Sequence, residues 1–227
     1  MLFRSYIYEN RSRIAPSDFD TLRSTIDSCL DRALIREFQK PEDLEGKNIL
    51  LRNVIRELIV KILEMDERHA PFELKQLEQK VIIPFAIDDN RSVRLLGIID
   101  RVDEHQGCLR VLDYKTGSVK STEFNQVEEL FNNVDKKEQF QALYYSMLIN
   151  FKYTGRPVKV GLITLKEMKE GIKYVNKGEP IENEKMIEFE KELRKLILEI
   201  LDPSVPFTQT DVESRCQYCP YKEICGR

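Results

Sequence analysis

No stretch of the sequence approaches the roughly eighteen consecutive apolar residues that a membrane-spanning helix needs. The opening Met1-Leu-Phe-Arg lacks the pattern of a signal peptide, so the expectation is a cytosolic chain. An excess of positive charge is lacking as well. Thirty-six Lys and Arg stand against 39 Asp and Glu, for a net charge of −3 and a pI of about 5.7. Composition alone gives no electrostatic case for nucleic acid, and such a partner would have to be recognised at a local site. Internal repeats and low-complexity runs are missing too. Five cysteines in such a chain point to metal or free thiols before disulfides. What is present is an ordinary globular composition, 41% apolar and 33% charged over 227 residues. That is one large domain or two small ones, with enough apolar material for a good core.

The order of elements follows from periodicity and punctuation. Pro16-Ser-Asp-Phe-Asp20 starts a helix. Phe19, Leu22, Ile26, Cys29, Leu30, Ala33 and Leu34 then recur at helical spacing to about Gln39, which makes Cys29 a buried thiol. A polar connection from Pro41 to Lys47 leads to a second helix, Asn48 to Glu67. Val54, Ile55, Leu58, Ile59, Ile62 and Leu63 give it a wide apolar face that packs on more than one neighbour, and both helices read as scaffold. Phe72 to Ile87 and Ser92 to Asp103 read as strands about a turn at Asp88-Asp-Asn90, with a third strand following. Ser118 to Asp135 is polar and interrupted, with a short helix near Val127 to Phe131, and is the place for an active-site lid. Lys136 to Phe151 is amphipathic and helical, and Pro157 to Lys166 is a buried strand after a crossover. A short strand at Gly171 to Val175 and a helix from Asn183 to Leu201 complete the order. The predicted fold is α/β, a mixed central sheet with an antiparallel meander, flanked by helices. Residues 1–69 form a helical segment on a core of 70–203, with a cysteine-rich tail over 204–227.

The chain is organised around Gly97-Ile-Ile-Asp-Arg-Val-Asp103 and Leu109-Arg-Val-Leu-Asp-Tyr-Lys-Thr-Gly117. If Gln106 and Gly107 are a two-residue hairpin loop, His105 lies opposite Cys108 and, counting on, Asp100 lies opposite Asp113. Their Cβ atoms would then be roughly 4.5–5.5 Å apart on one face, with Lys115 two residues along on that face. Opposed carboxylates repel unless a cation lies between them, and hard divalent cations take carboxylate oxygens. An acid facing an acid-x-lysine is, chemically, a nuclease arrangement. The metal polarises the phosphoryl oxygen and activates water, while the lysine orients that water or neutralises developing charge. The plainer alternative is a surface hairpin with solvated charges.

The same residues resemble the PD-(D/E)xK nuclease superfamily, and more narrowly the RecB/AddB-type nuclease domains, with a restriction-endonuclease-like core. The resemblance implies Mg²⁺ or Mn²⁺ on Asp100 and Asp113, with the Asp113–Tyr114 junction carbonyl, and makes Lys115 catalytic. It places a further acid at Glu78 in Leu77-Glu-Gln-Lys-Val81, where the alternative is an ordinary exposed strand acid. It also sets Gln141 and Tyr145 of Gln141-Ala-Leu-Tyr-Tyr145 beside the site, where the alternative is a packed tyrosine partnered by glutamine. DNA is the implied substrate, in recombination or break repair, together with a helicase or nuclease partner subunit.

Cys216-x2-Cys219-x5-Cys225, with Pro220 inside, has metal spacing and resembles the C-terminal triplet that holds a [4Fe–4S] cluster in AddB-type and CRISPR-adaptation nucleases. The fourth ligand of such a cluster lies far upstream in the family, and neither Cys29 nor Cys108 matches it. The family's ligand histidine is missing as well. His105 stands at the hairpin tip and His69 at the end of the second helix, and both read as structural or solvent-facing. The expectation is therefore the C-terminal piece of a longer protein, weakly active by itself, or else a degenerate paralogue. Two alternatives of other classes remain: a non-catalytic nuclease-like scaffold that binds DNA or a partner, and a small metal-binding regulatory module.

Overall fold

The computed structural model describes residues 7–9, 11–38, 47–217 and 219–227. It is a six-stranded sheet with helices on both faces, and the strands lie side by side in chain order. Strand β1 (Arg13–Ile14) pairs antiparallel with β2 (Phe72–Ala86), which pairs with β3 (Ser92–His105), which pairs with β4 (Cys108–Lys115). Strand β5 (Val158–Thr164) then runs parallel to β4, and β6 (Lys173–Tyr174) closes the sheet antiparallel to β5. A parallel step requires a crossover, and α5 (Lys137–Lys152) supplies it. The mixed sheet with its antiparallel meander is the predicted fold.

The two faces are covered by different parts of the chain. Helices α1 (Phe19–Ser24), α2 (Ile26–Phe38) and α3 (Lys47–Arg68) bury Leu22, Ile26, Leu30, Ile59, Ile62 and Leu63 against Phe72, Leu112 and Ile163. Cys29 is buried in this layer, as its place on the apolar stripe requires. On the other face α4 (Glu129–Asn132), α5 and α6 (Asn183–Ile200) pack Leu130, Leu143, Met147, Phe189 and Leu193 into one core with Val81, Ile99, Val111 and Val160. Two details differ from the expected elements. The first helix is broken at Thr25, whose hydroxyl donates to the Leu22 carbonyl at 2.8 Å, and β1 is an edge strand too short to announce itself by period. The polar connection expected from Pro41 lies, through residue 46, outside the described residues. No helix among the described residues is long and apolar enough to cross a membrane.

Helix α5 lies very close to β3 because Gly97 has no side chain. A Cβ at that position would fall 2.6 Å from Leu148 Cδ1 and 3.1 Å from Tyr145 Cε1. The turn between β3 and β4 is built as predicted: Gln106 and Gly107 take φ of 52° and 77°, the left-handed geometry a two-residue hairpin demands. His105 stands opposite Cys108, and the register runs unbroken to Arg101 opposite Leu112.

Candidate active site

One rung beyond Arg101 and Leu112, the same register sets Asp100 against Asp113. On the other side of β3, Leu77 faces Arg101 and Gln79 faces Ile99, which leaves Glu78 opposite Asp100. Continued past the last paired residues, the register thus brings three acidic positions to one rung of three adjacent strands. Asp113 is buried, while Asp100 and Glu78 are half-buried. The Asp100 carboxylate accepts the backbone N–H of Tyr114 through Oδ2 at 2.9 Å. This rung is also where the sheet changes phase. Val81 and Ile99 face α5 and α6, and five and three residues away Gln76 and Val102 face the same way. Leu77 and Arg101, between them, turn to the N-terminal helices. An alternating strand cannot do this without a fault, and in β2 a left-handed residue, Glu78 at φ 49°, lies between the two phases. A left-handed non-glycine residue costs on the order of 1–3 kcal/mol. Glu78→Gly should therefore raise the midpoint of thermal unfolding. A variant whose thermal midpoint falls would show the backbone there to be unstrained.

Lys115 ends β4 at the mouth of a groove of about 830 Å³. Its Nζ lies 2.8 Å from Asp113 Oδ2 and donates to Gln141 Oε1. Gln141 Nε2 in turn donates to the Tyr145 hydroxyl at 2.9 Å. Gln141 and Tyr145 are four residues apart on α5 and so stack on one face. Burial holds the Tyr145 hydroxyl above the usual phenol range against the Gln141 hydrogen bond, and the charges of Asp113 and Asp100 push the same way. The tyrosine therefore stays protonated beside the acids. Thr116 to Val119 line the groove, and of these only Ser118 and Val119 belong to the segment where a lid was expected. The loop beyond is tethered: Gln139 Nε2 donates to the Ser121 carbonyl at 2.8 Å, and Lys136 Nζ to that of Glu123 at 2.7 Å.

Asp113, Lys115, Gln141 and Tyr145 are thus joined in one chain of contacts with Asp100 held beside them by Tyr114, and Glu78 is placed near them by register alone, whereas the tail cysteines do not gather. Among the described residues no three His, Cys, Asp or Glu side chains form a ready metal cluster, Cys216, Cys219 and Cys225 included. Cys108 is at the hairpin turn and Cys29 in the helical layer. His69 and His105 are half-buried and meet edge to face, with ring centroids 6.3 Å apart. As donors, the carboxylates of the shared rung fit a hard cation that binds through one or two of them and keeps its water, as Mg²⁺ does.

The model of the PD-(D/E)XK nuclease superfamily matches residues 7–226. The chain belongs to the PD-(D/E)XK nuclease superfamily. No curated protein matches it. One solved structure, the crystal structure of SSO0001, is similar at 15% identity, with 99% of this chain and 94% of that one covered. Its TM-score of 0.34 is too low to speak for a shared arrangement.

Beyond the residues expected of a superfamily member, a buried charged network lies behind the rung. Arg101 Nε donates to Asp103 Oδ2 at 2.7 Å and its Nη1 to Asp66 Oδ2 at 2.7 Å. Arg110 Nε donates to Asp103 Oδ1 at 2.6 Å, and the buried Tyr8 hydroxyl donates to Asp66. Asp66 carried a signal in the sequence: it falls one turn beyond Ile62 and Leu63 on the apolar face of α3, where an acid demands a partner.

Proposed function

We propose that the protein is a metal-dependent nuclease that hydrolyses phosphodiester bonds in DNA. The observation that carries this reading is the meeting of Lys115 with Asp113, 2.8 Å apart, on the strand beside Asp100. Asp100 and Asp113, with Glu78 opposite, would hold Mg²⁺ or Mn²⁺ together with the Asp113–Tyr114 junction carbonyl. When bound, the metal supplies Lewis-acid polarisation of the phosphoryl oxygen and a more acidic water. Gln141 and Asp113 hold the Lys115 ammonium at the mouth of the groove. There it can orient the attacking water and offset charge growing on the phosphate. Tyr145 keeps Gln141 turned toward the lysine.

More narrowly, we place the chain with the RecB/AddB-type exonucleases of recombination and break repair, working beside a helicase or nuclease subunit. The Asp113-Tyr-Lys-Thr-Gly117 run supports that placement. The [4Fe–4S] reading of the tail rests on the spacing of Cys216, Cys219 and Cys225.

The test is a Mg²⁺ and Mn²⁺ titration with end-labelled DNA, single- and double-stranded, followed by chelation. Degradation should require metal, stop with EDTA and be absent in Asp113→Asn, while gel-shift binding of DNA persists in that variant. Binding without metal-dependent cleavage by the unaltered chain would replace this reading with the non-catalytic scaffold.

A further inference from the structure

Arg101 is fully buried, next in sequence to Asp100 and on the opposite side of the sheet from the groove. Besides its bonds to Asp66 and Asp103, its Nη1 lies 3.4 Å from the Tyr114 hydroxyl, and its guanidinium covers the Phe72 ring at 4.6 Å. Tyr114 is the residue whose backbone N–H holds the Asp100 carboxylate at 2.9 Å. One arginine thus touches the site twice, through its own peptide link to Asp100 and through the ring of Tyr114.

Stability does not account for such a network. Two aspartates and two arginines, each 2% exposed or less, have been taken out of water. A buried ionic set of this kind is often matched or bettered in stability by apolar residues of the same volume. What charges add is a single geometry, since Asp103 gives one oxygen to each arginine and Asp66 Oδ2 accepts from both Arg101 and Tyr8. That geometry is imposed beside the rung where both strands change phase and simple alternation stops fixing where side chains point. Asp66 brings the end of α3 into the same arrangement, so the N-terminal helices bear on the site as well as on the core.

We propose that Arg101, braced by Asp66 and Asp103, is a positioning residue that sets the Asp100 carboxylate for the metal ion through Tyr114. The inference rests on the nuclease reading for its purpose, but its test is metal affinity. Outer-layer partners of metal ligands typically change affinity about ten- to a hundredfold.

The probe is Mn²⁺ alone, titrated into the full chain by electron paramagnetic resonance, with thermal midpoints measured metal-free. Tyr114→Phe removes only the hydroxyl and should weaken Mn²⁺ binding several-fold at an almost unchanged midpoint. Arg101→Lys should weaken it by about tenfold. Arg110→Lys alters the same network away from Tyr114 and should lower the midpoint while leaving Mn²⁺ affinity within about twofold. Wild-type affinity in Tyr114→Phe, or an equal loss in Arg110→Lys, overturns the proposal, and Tyr114→Phe decides it if Arg101→Lys does not fold. Failure of the unaltered chain to bind Mn²⁺ overturns it as well. If the unaltered chain binds Mn²⁺ without cleaving DNA, only the nuclease reading falls, and the variants still decide the positioning role.

Discussion

Lys115→Met should reduce single-turnover DNA cleavage at saturating Mn²⁺ by about a hundred- to a thousandfold, the range for removing one preorganised group aimed at developing charge. Methionine replaces all of the lysine side chain but its terminal ammonium with an unbranched apolar one, and the lysine side chain is only 25% exposed where it lines the groove. Fold and DNA binding should therefore survive. On the proposed mechanism the loss removes an interaction used in the transition state, so it belongs in the saturated rate more than in the DNA concentration at half-maximal rate. Gln141→Leu should show a smaller loss of the same kind, because it frees the ammonium that Gln141 holds. The double variant should be no slower than Lys115→Met alone, since Gln141 acts through the lysine. Additive losses would show that Gln141 has a role of its own at the phosphate.

The largest effect on stability is expected at Asp103. Its two oxygens serve Arg101 and Arg110, and its side chain is fully buried. Asp103→Ala would leave both guanidinium groups in the interior with that acceptor gone. Breaking a buried pair from one side typically costs about 3–5 kcal/mol. For a chain of this length each kcal/mol moves the thermal midpoint by roughly 2–4 °C, so a fall of about 6–20 °C is expected. Circular dichroism melts of the two proteins measure it directly. A midpoint within a degree or two of wild type would mean that the interior around Phe72 admits enough water to solvate both arginines.

The hairpin register was legible before any coordinates because one turn fixes it. Gln106-Gly107 allows a two-residue loop, and every pairing toward Asp100 follows by counting. The helices of the second half were legible for a similar reason, their apolar periods being long and uninterrupted by proline. The phase change at Glu78 was not. Glutamate carries no mark of a left-handed backbone, and the fault shows only when Gln76 and Val81, an odd number of residues apart, face the same helices. The break at Thr25 has neither glycine nor proline to announce it. Arg101 stood plainly within an apolar strand, and the hairpin count sets Asp103 against Arg110, but the other partner of Arg101, Asp66, lies 35 residues upstream on α3. No local pattern names a partner at such a distance. The tail shows the opposite limit, since Cys216, Cys219 and Cys225 have a suggestive spacing and yet form no cluster in the fold.

The closeness of α5 to β3 gives the site a vulnerability on its far side. The helix that carries Gln141 and Tyr145 rests where the first methyl group of a side chain would otherwise be, at Gly97. Any larger residue there acts as a wedge beneath the tip of Leu148 and the Tyr145 ring, and where those side chains do not turn aside α5 must move away from the sheet. Gln141 would be drawn off Lys115 with it, although Gly97 donates no side-chain atom to the chemistry. The reach between lysine and glutamine is therefore set by how thin one strand is, and a change invisible among the acids would be felt first as a lysine no longer held.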